Sequence, residues 1–258
     1  MHFVDTKIKE ASKFLENKDY VNAKKSYSDI LDKFPKNARA LNGIKTITNN
    51  QNSNCQIDFE YLYKMLDESE YSKLKEKLSK EIRENPNQYE LYNILGSCNM
   101  ELENFNEAEL NFKKSISLNN KSLSARNNLG ILYKKNKNLN LAIDTFKKLV
   151  HDFPNNLSVL NNLGNSFVEQ KDYRNGIKVF QKALKMNDNF PQAHHNLGII
   201  YREKKLFDEA ITHFKKAVEI LPTYRDAIMS LADGYRSIND PQSAIFYYQK
   251  ALKIKEDE

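Results

Sequence analysis

The chain has 258 residues, 40% apolar and 29% charged, with a formal net charge of +6. That is enough apolar material for a large core, and only 7 Gly and 6 Pro interrupt it, which disfavours a hairpin-rich β fold and favours helices. No apolar run approaches the ~20 residues that cross a bilayer, so no membrane partner is expected. The opening Met1-His2-Phe3-Val4-Asp5 turns charged too early for a secretory signal. Cys55 and Cys98 lie far apart with no metal-like spacing and read as free thiols of a reducing compartment. The chain is therefore expected to be cytoplasmic, and Asn120-Lys-Ser and Asn156-Leu-Ser, which match the glycosylation pattern, are read as chance.

Taken in order, residues 4–37 predict a helical hairpin, carrying Phe14, Tyr20, Ala23, Tyr27 and Pro35. Ala38 to Asn49 predicts one further helix, so that 1–50 forms an N-terminal unit. Asn50-Gln51-Asn52-Ser53-Asn54 reads as polar linker, placed at 51–57. One hairpin cannot bury its apolar face alone, so this unit is expected to pack on the rest of the chain or on a partner.

From residue 55 onwards a period of 34 takes over. Leu95-Gly96, Leu129-Gly130, Leu163-Gly164, Leu197-Gly198 and Leu231-Ala232 follow one another at that interval. Three residues past each pair stand Asn99, Tyr133, Phe167, Tyr201 and Tyr235. A small residue recurs as Ala108, Ala142, Gly176, Ala210 and Ala244, and four residues later an aromatic as Phe112, Phe146, Phe180, Phe214 and Tyr248. The repeats run 89–122, 123–156, 157–190, 191–224 and 225–258. A degenerate one at 55–88 keeps Tyr71, Leu78 and Pro86 in register.

This pattern resembles the tetratricopeptide repeat, W-x2-L-G-x2-Y, then A-x3-F, then P, and with residues 4–37 the resemblance covers about nine-tenths of the chain. It departs from the family in having no Trp: the fourth position holds Tyr92, Arg126, Leu160, His194 and Ile228. The resemblance implies an all-α fold, a right-handed α-solenoid (superhelix) of antiparallel helix pairs. Positions 4, 7, 8 and 11 share one stripe of helix A, which is expected to face helix B. Gly or Ala at position 8 is expected to meet the small residue at position 20, and the aromatic at position 24 to fill the gap to the next hairpin. Pro35, Pro86, Pro154 and Pro222 stop helix B, and Asp240-Pro241 predicts an N-cap with Pro at the first helical position.

Positions 2, 5, 9 and 12 lie opposite that stripe, and in the family they line the concave surface. Position 5 gives Asn93, Asn127, Asn161, His195 and Met229; position 9 gives Ser97, Ile131, Asn165, Ile199 and Asp233; position 12 gives Met100, Lys134, Val168, Arg202 and Arg236. Position 6 borders the groove with Asn128, Asn162 and Asn196. An amide both donates and accepts, so such a row can grip a peptide backbone whatever its side chains. The row resembles the asparagine ladder in the repeat array of O-GlcNAc transferase, which implies an extended polypeptide as partner. The candidate peptide-binding residues are Asn127, Asn128, Lys134, Asn161, Asn162, Asn165, His195, Asn196, Arg202 and Arg236. The family's carboxylate clamp for chaperone tails does not fit: Asn93 and Ser97 stand where it needs Lys and Asn, and Ser158 and Asn162 where it needs Lys and Arg.

Other chemistry finds little footing. Lysines at positions 25 and 26 form a basic ridge, but Glu107, Asp144 and Glu209 stand among them, so a solvated face is expected and not a nucleic-acid partner. Adjacent helical residues point about 100° apart, so His194-His195 makes a poor metal site; His194 is expected to pack and His195 to face the groove. Cys98 reads as a small buried residue. No dinucleotide, phosphate-loop, nucleophile-elbow or zinc-protease motif occurs. No catalytic residue, metal or cofactor is expected, and the chain reads as a scaffold or adaptor for proteins, not an enzyme.

The alternative rests on a further resemblance. Tyr20-Val-Asn-Ala23 with Phe34-Pro35-Lys-Asn37-Ala-Arg-Ala-Leu41 is similar to the N-terminal halves of some bacterial glycosyltransferases and sulfotransferases, where repeats present substrate to a catalytic domain absent from these residues. The last repeat ends at Glu258 with no capping helix over Leu252 and Ile254, so its end is expected to self-associate, meet a partner or continue into further sequence.

Overall fold

A computed structural model describes the chain from His2 to Glu256, apart from Lys18, residues 35–36 and residues 54–56. Pro35, Asn54 and Cys55, on which sequence expectations fell, lie outside the described residues. Fifteen helices and no strand occur among those described. Contacts divide the chain into two compact units, 1–62 and 63–258, with the division inside the fourth helix.

The first unit holds α1 (His2–Glu16), α2 (Tyr20–Lys33) and α3 (Ala38–Ser53). Its core is Ala11, Ala23, Tyr27, Ile30, Ala40 and Ile47. Asp19 caps α2 by accepting from the Asn22 N–H at 3.1 Å. α3 packs on α2, and Gly43 faces the Tyr27 ring so closely that a β-carbon there would overlap it. Arg39 Nη2 of α3 reaches Asp5 Oδ1 of α1 at 2.6 Å, 34 residues earlier in sequence. α3 thus stands where the first helix of a following repeat would stand. It also runs to Ser53, taking up residues 51–53 that read as linker.

α4 (Phe59–Asp67) and α5 (Tyr71–Glu84) fall within residues 55–88, the stretch read from the sequence as a degenerate repeat. The five regular repeats follow as α6 (Tyr89–Glu101) with α7 (Phe105–Leu118), α8 (Leu123–Lys135) with α9 (Leu139–Asp152), α10 (Leu157–Glu169) with α11 (Tyr173–Met186), α12 (Pro191–Glu203) with α13 (Phe207–Ile220), and α14 (Arg225–Ser237) with α15 (Pro241–Glu256). Each of these A helices packs on its own B helix and on the preceding B helix, and all but α14 pack on the next A helix. B helices make no comparable contact with one another, so the stack closes more tightly along its A side.

The inside of each hairpin differs from the expected arrangement. A β-carbon placed on Gly96, Gly130, Gly164 or Gly198 would lie 2.5–2.6 Å from the ring of Phe112, Phe146, Phe180 or Phe214. Position 8 is therefore glycine because the position-24 ring of the same hairpin occupies the space, not because position 20 does. The four rings are fully buried, and they also share a core with the next repeat as expected, Phe180 with Ala193, Leu197 and Ile200 and Phe214 with Ala227, Ile228 and Leu231. The fifth repeat makes the point by exception: Ala232 stands at position 8, and Tyr248 stays half-buried with its hydroxyl donating to Asp233 Oδ1 at 2.5 Å.

The A-to-B turns have a feature with no glycine to announce it. Ser69, Glu103, Lys137, Lys171, Lys205 and Asn239, at position 15 of successive units, all have φ between 59° and 63°. Each ends helix A by two backbone bonds, as where Lys137 N–H donates to Lys134 O at 3.0 Å and Asn138 N–H to Tyr133 O at 2.8 Å. Two carbonyls that helix termination would leave open are satisfied, at the expense of a left-handed non-glycine residue. Two of these B helices start on side-chain caps, Asp172 accepting from Asn175 N–H and Asp240 from Ser243 N–H, whereas Asn104 and Asn138 make no such bond at the starts of α7 and α9. On α15, Ile254 packs against the core while Leu252 is exposed. Ile245 is 56% exposed where its counterpart Ile211 on α13 is 6%.

Candidate functional site

The A helices of the second unit carry the candidate groove, and the structure links its amides across repeats. Asn128 Nδ2 donates to Asn93 Oδ1 at 3.1 Å, Asn162 Nδ2 to Asn127 Oδ1 at 2.9 Å, and Asn196 Nδ2 to Asn161 Oδ1 at 3.0 Å. The last step of the series pairs His195 Nε2 with Ser230 Oγ at 3.0 Å. Every step spans 35 residues, position 5 of one repeat to position 6 of the next. The row that recurs once per repeat in the sequence is thus a series of amide pairs that also stitches neighbouring A helices together.

The pairing leaves capacity over. An amide offers two N–H donors and an oxygen with two lone pairs. Asn162 and Asn196 each spend one N–H on the neighbour, and neither Oδ1 has a protein partner among the described residues. Asn127, Asn128, Asn161, Asn162 and Asn196 are half-buried, so these remaining sites can be reached from solvent. Asn93 is buried and closes the row at its first end.

His195 departs from the expectation that it faces the groove. It is only 8% exposed, its Nδ1 meets the Tyr224 hydroxyl at 3.2 Å, and its ring packs 5.7 Å from that of Phe214. Burial pushes its pKa down to about 4, with Asp226 pulling the other way. It therefore enters the row as a neutral hydrogen-bonding group. Its neighbour His194 is buried as expected and lies 3.1 Å, Nδ1 to Nδ1, from His213. The Asp188 carbonyl at 3.2 Å can only accept, so His194 Nε2 carries the hydrogen. Nδ1 of His194 then accepts, and His213 donates.

The charged candidates sit at the ends of the A helices, largely in local pairs. Lys134 Nζ lies 3.3 Å from Glu169 of the next repeat, Arg202 Nη2 4.0 Å from Glu203, and Arg236 Nη2 3.1 Å from Asp233. Lys135 reaches back to Glu101 at 2.8 Å. Lys134, Arg202 and Asn165 are half-buried, and Arg236 is exposed. Ile131, Ile199 and Met229 add half-buried apolar surface between the polar rows. The sequence reading missed Ser230, Tyr224 and His213; Ser230 could have been found, since it stands 35 residues after His195.

Cys98 is buried, with its thiol against the Tyr71 carbonyl at 3.5 Å and its pKa raised by burial, as a packing residue would be. Among the described residues no three His, Cys, Asp or Glu side chains converge as metal ligands would. Nor is any described helix long and apolar enough to cross a membrane.

Comparison with known proteins bears on the repeats themselves. Sequence models of the tetratricopeptide repeat match residues 89–122, 128–156, 155–223 and 189–257, together well over half of the chain. No curated protein matches the sequence. Among solved structures, MamA is similar with a TM-score of 0.54 and 24% identity, over 63% of this chain and 95% of that one. A thermophilic tetratricopeptide repeat protein of Thermus thermophilus gives 0.56 and 22% over 64% and 90%. PilF of Pseudomonas aeruginosa gives 0.58 and 21% over 64% and 76%. At these identities the likeness is one of fold. The chain belongs to the tetratricopeptide repeat family.

Proposed function

We propose that the A-helix face of residues 89–258 binds an extended polypeptide segment of a partner protein, and that the chain acts as a protein-interaction scaffold. The observation that carries this reading is the half-buried amide chain through Asn127, Asn128, Asn161, Asn162 and Asn196, with one N–H and one oxygen uncommitted at each of Asn162 and Asn196. Donors and acceptors repeated once per repeat match the alternating N–H and C=O of a peptide backbone, whose recognition needs no particular side chain. Ile131, Ile199 and Met229 supply apolar contact beside them, and Lys134, Arg202 and Arg236 line one margin. Backbone recognition gives affinity with broad tolerance, as a scaffold requires.

A displayed library of random peptides, selected on the intact chain, tests this. Enrichment is expected on the native protein and at least about tenfold less, some 1.4 kcal/mol, on the variant Asn128→Ala, Asn162→Ala, Asn196→Ala. Equal enrichment on both folded proteins contradicts the reading.

A further inference from the structure

The back of α11 differs from that of the other B helices. Arg174, Lys178, Lys182 and Lys185 fall on one stripe and all are exposed. The opposite face buries Gly176, Phe180 and Ala183. Among the described residues none of the four lies within ion-pair distance of a carboxylate, and α11 itself holds no acid. The neighbouring repeats mix signs instead. α7 pairs Lys113 with Glu109 at 2.7 Å, and α13 sets Lys216 3.9 Å from Glu219. α9 holds Asp144 and Asp152 beside Lys147 and Lys148.

Like charges three or four residues apart destabilise a helix by a few tenths of a kcal/mol per pair. α11 carries three such pairs in succession with nothing on the helix itself to offset them. The stripe is also short. Arg174 to Lys185 spans about 16 Å at the helical rise. Asp172, capping the helix through Asn175, ends it on one side and exposed Asp188 on the other. The flanking B helices carry both signs, Asp144 with Lys147 and Lys148 on α9 and Asp208 with Lys215 and Lys216 on α13.

We infer that the stripe Arg174–Lys178–Lys182–Lys185 is a second interaction surface, which docks an acidic amphipathic helix of a partner protein. A partner helix with Glu or Asp at four- and three-residue intervals has the same rise as α11, so an antiparallel approach sets carboxylates opposite cations one to one. Asp172 and Asp188 at its two ends favour this short occupant over a polyanion, since a phosphate backbone continuing past either end meets a carboxylate. The surface is separate from the A-helix groove.

The probe is a labelled, alanine-based helical peptide of about 15 residues carrying four Glu at matching spacing, read by fluorescence anisotropy at about 50 mM salt, where surface charges are weakly screened. The proposal predicts saturable binding, weakened at least about tenfold by Lys178→Glu with Lys182→Glu. It predicts little change in Lys114→Glu with Lys250→Glu, which reverses the same number of charges on α7 and α15. Far-UV circular dichroism shows whether each variant keeps its helices, and the conservative pair Lys178→Arg, Lys182→Arg is expected to bind as the native chain does. Absence of binding, equal loss in both reversed variants, or tighter binding of a single-stranded oligothymidylate of similar charge would each overturn it.

Discussion

Asn162 Nδ2 lies 2.9 Å from Asn127 Oδ1, and this bond joins two repeats through the same amides that the groove offers to a ligand. The row is thus structural and, on the proposed reading, recognitive at once. Asn162→Ala removes one donor and is expected to cost about 1 kcal/mol. Asn162→Asp keeps the shape, and Asn127 can turn its amide to donate Nδ2 to the new carboxylate, so Asp should cost less than Ala. Urea unfolding midpoints of the two variants check the order.

Gly164 and Phe180 make a second prediction. Alanine is the better helix former by about 1 kcal/mol, yet its β-carbon would lie 2.5 Å from the Phe180 ring. Gly164→Ala should therefore destabilise by about 1–3 kcal/mol, the usual range for overpacking. Combining it with Phe180→Leu should recover part of the loss, and a double-mutant cycle in urea measures the coupling.

The left-handed turns predict the reverse sign. Lys137 and Lys171 hold φ near 60°, where a side chain is strained and glycine is not. Lys137→Gly or Lys171→Gly should stabilise by about 0.5–1 kcal/mol. Scanning calorimetry would show a raised Tm, whereas a Gly substitution at exposed Lys148, inside α9, should lower it.

The pH dependence follows from His195. Its pKa is depressed to about 4 in the folded chain against an ordinary 6.5, because burial disfavours the charged form. Unfolding therefore takes up a proton on the acid side. The contribution is fully present above pH 6.5, falls as pH drops towards 4, and amounts to about 3 kcal/mol. His194 and His213 are also depressed by burial and act in the same direction. His195→Asn, which restores the residue of the earlier repeats, should flatten the decline when unfolding is compared at about pH 5 and above about pH 7.

Most of the fold was legible because a repeat tells the same thing several times. The Leu-Gly pairs, the small residues and the phenylalanines each recur at 34 residues, so an error in one unit is corrected by the next. What eluded the sequence needed pairwise geometry. Whether position 8 faces position 20 or position 24 depends on where the ring turns, and both residues lie on the buried side of helix B. The left-handed turns carried Glu, Lys and Asn, which look the same in a helix. His195 shares its repeat position with Asn127 and Asn161, and the Tyr224 and Phe214 rings pack against it. The asparagine row was visible as composition, while its pairing required setting one repeat against the next at 35 residues.

The most direct measurement is a titration of the chain with a peptide selected on it, followed by the side-chain amide resonances of Asn128, Asn162 and Asn196 in two-dimensional nuclear magnetic resonance. The account predicts that these Nδ2 protons shift on binding, those of Asn162 and Asn196 most, while B-helix amides stay still. Saturable binding that leaves all three unmoved would contradict it.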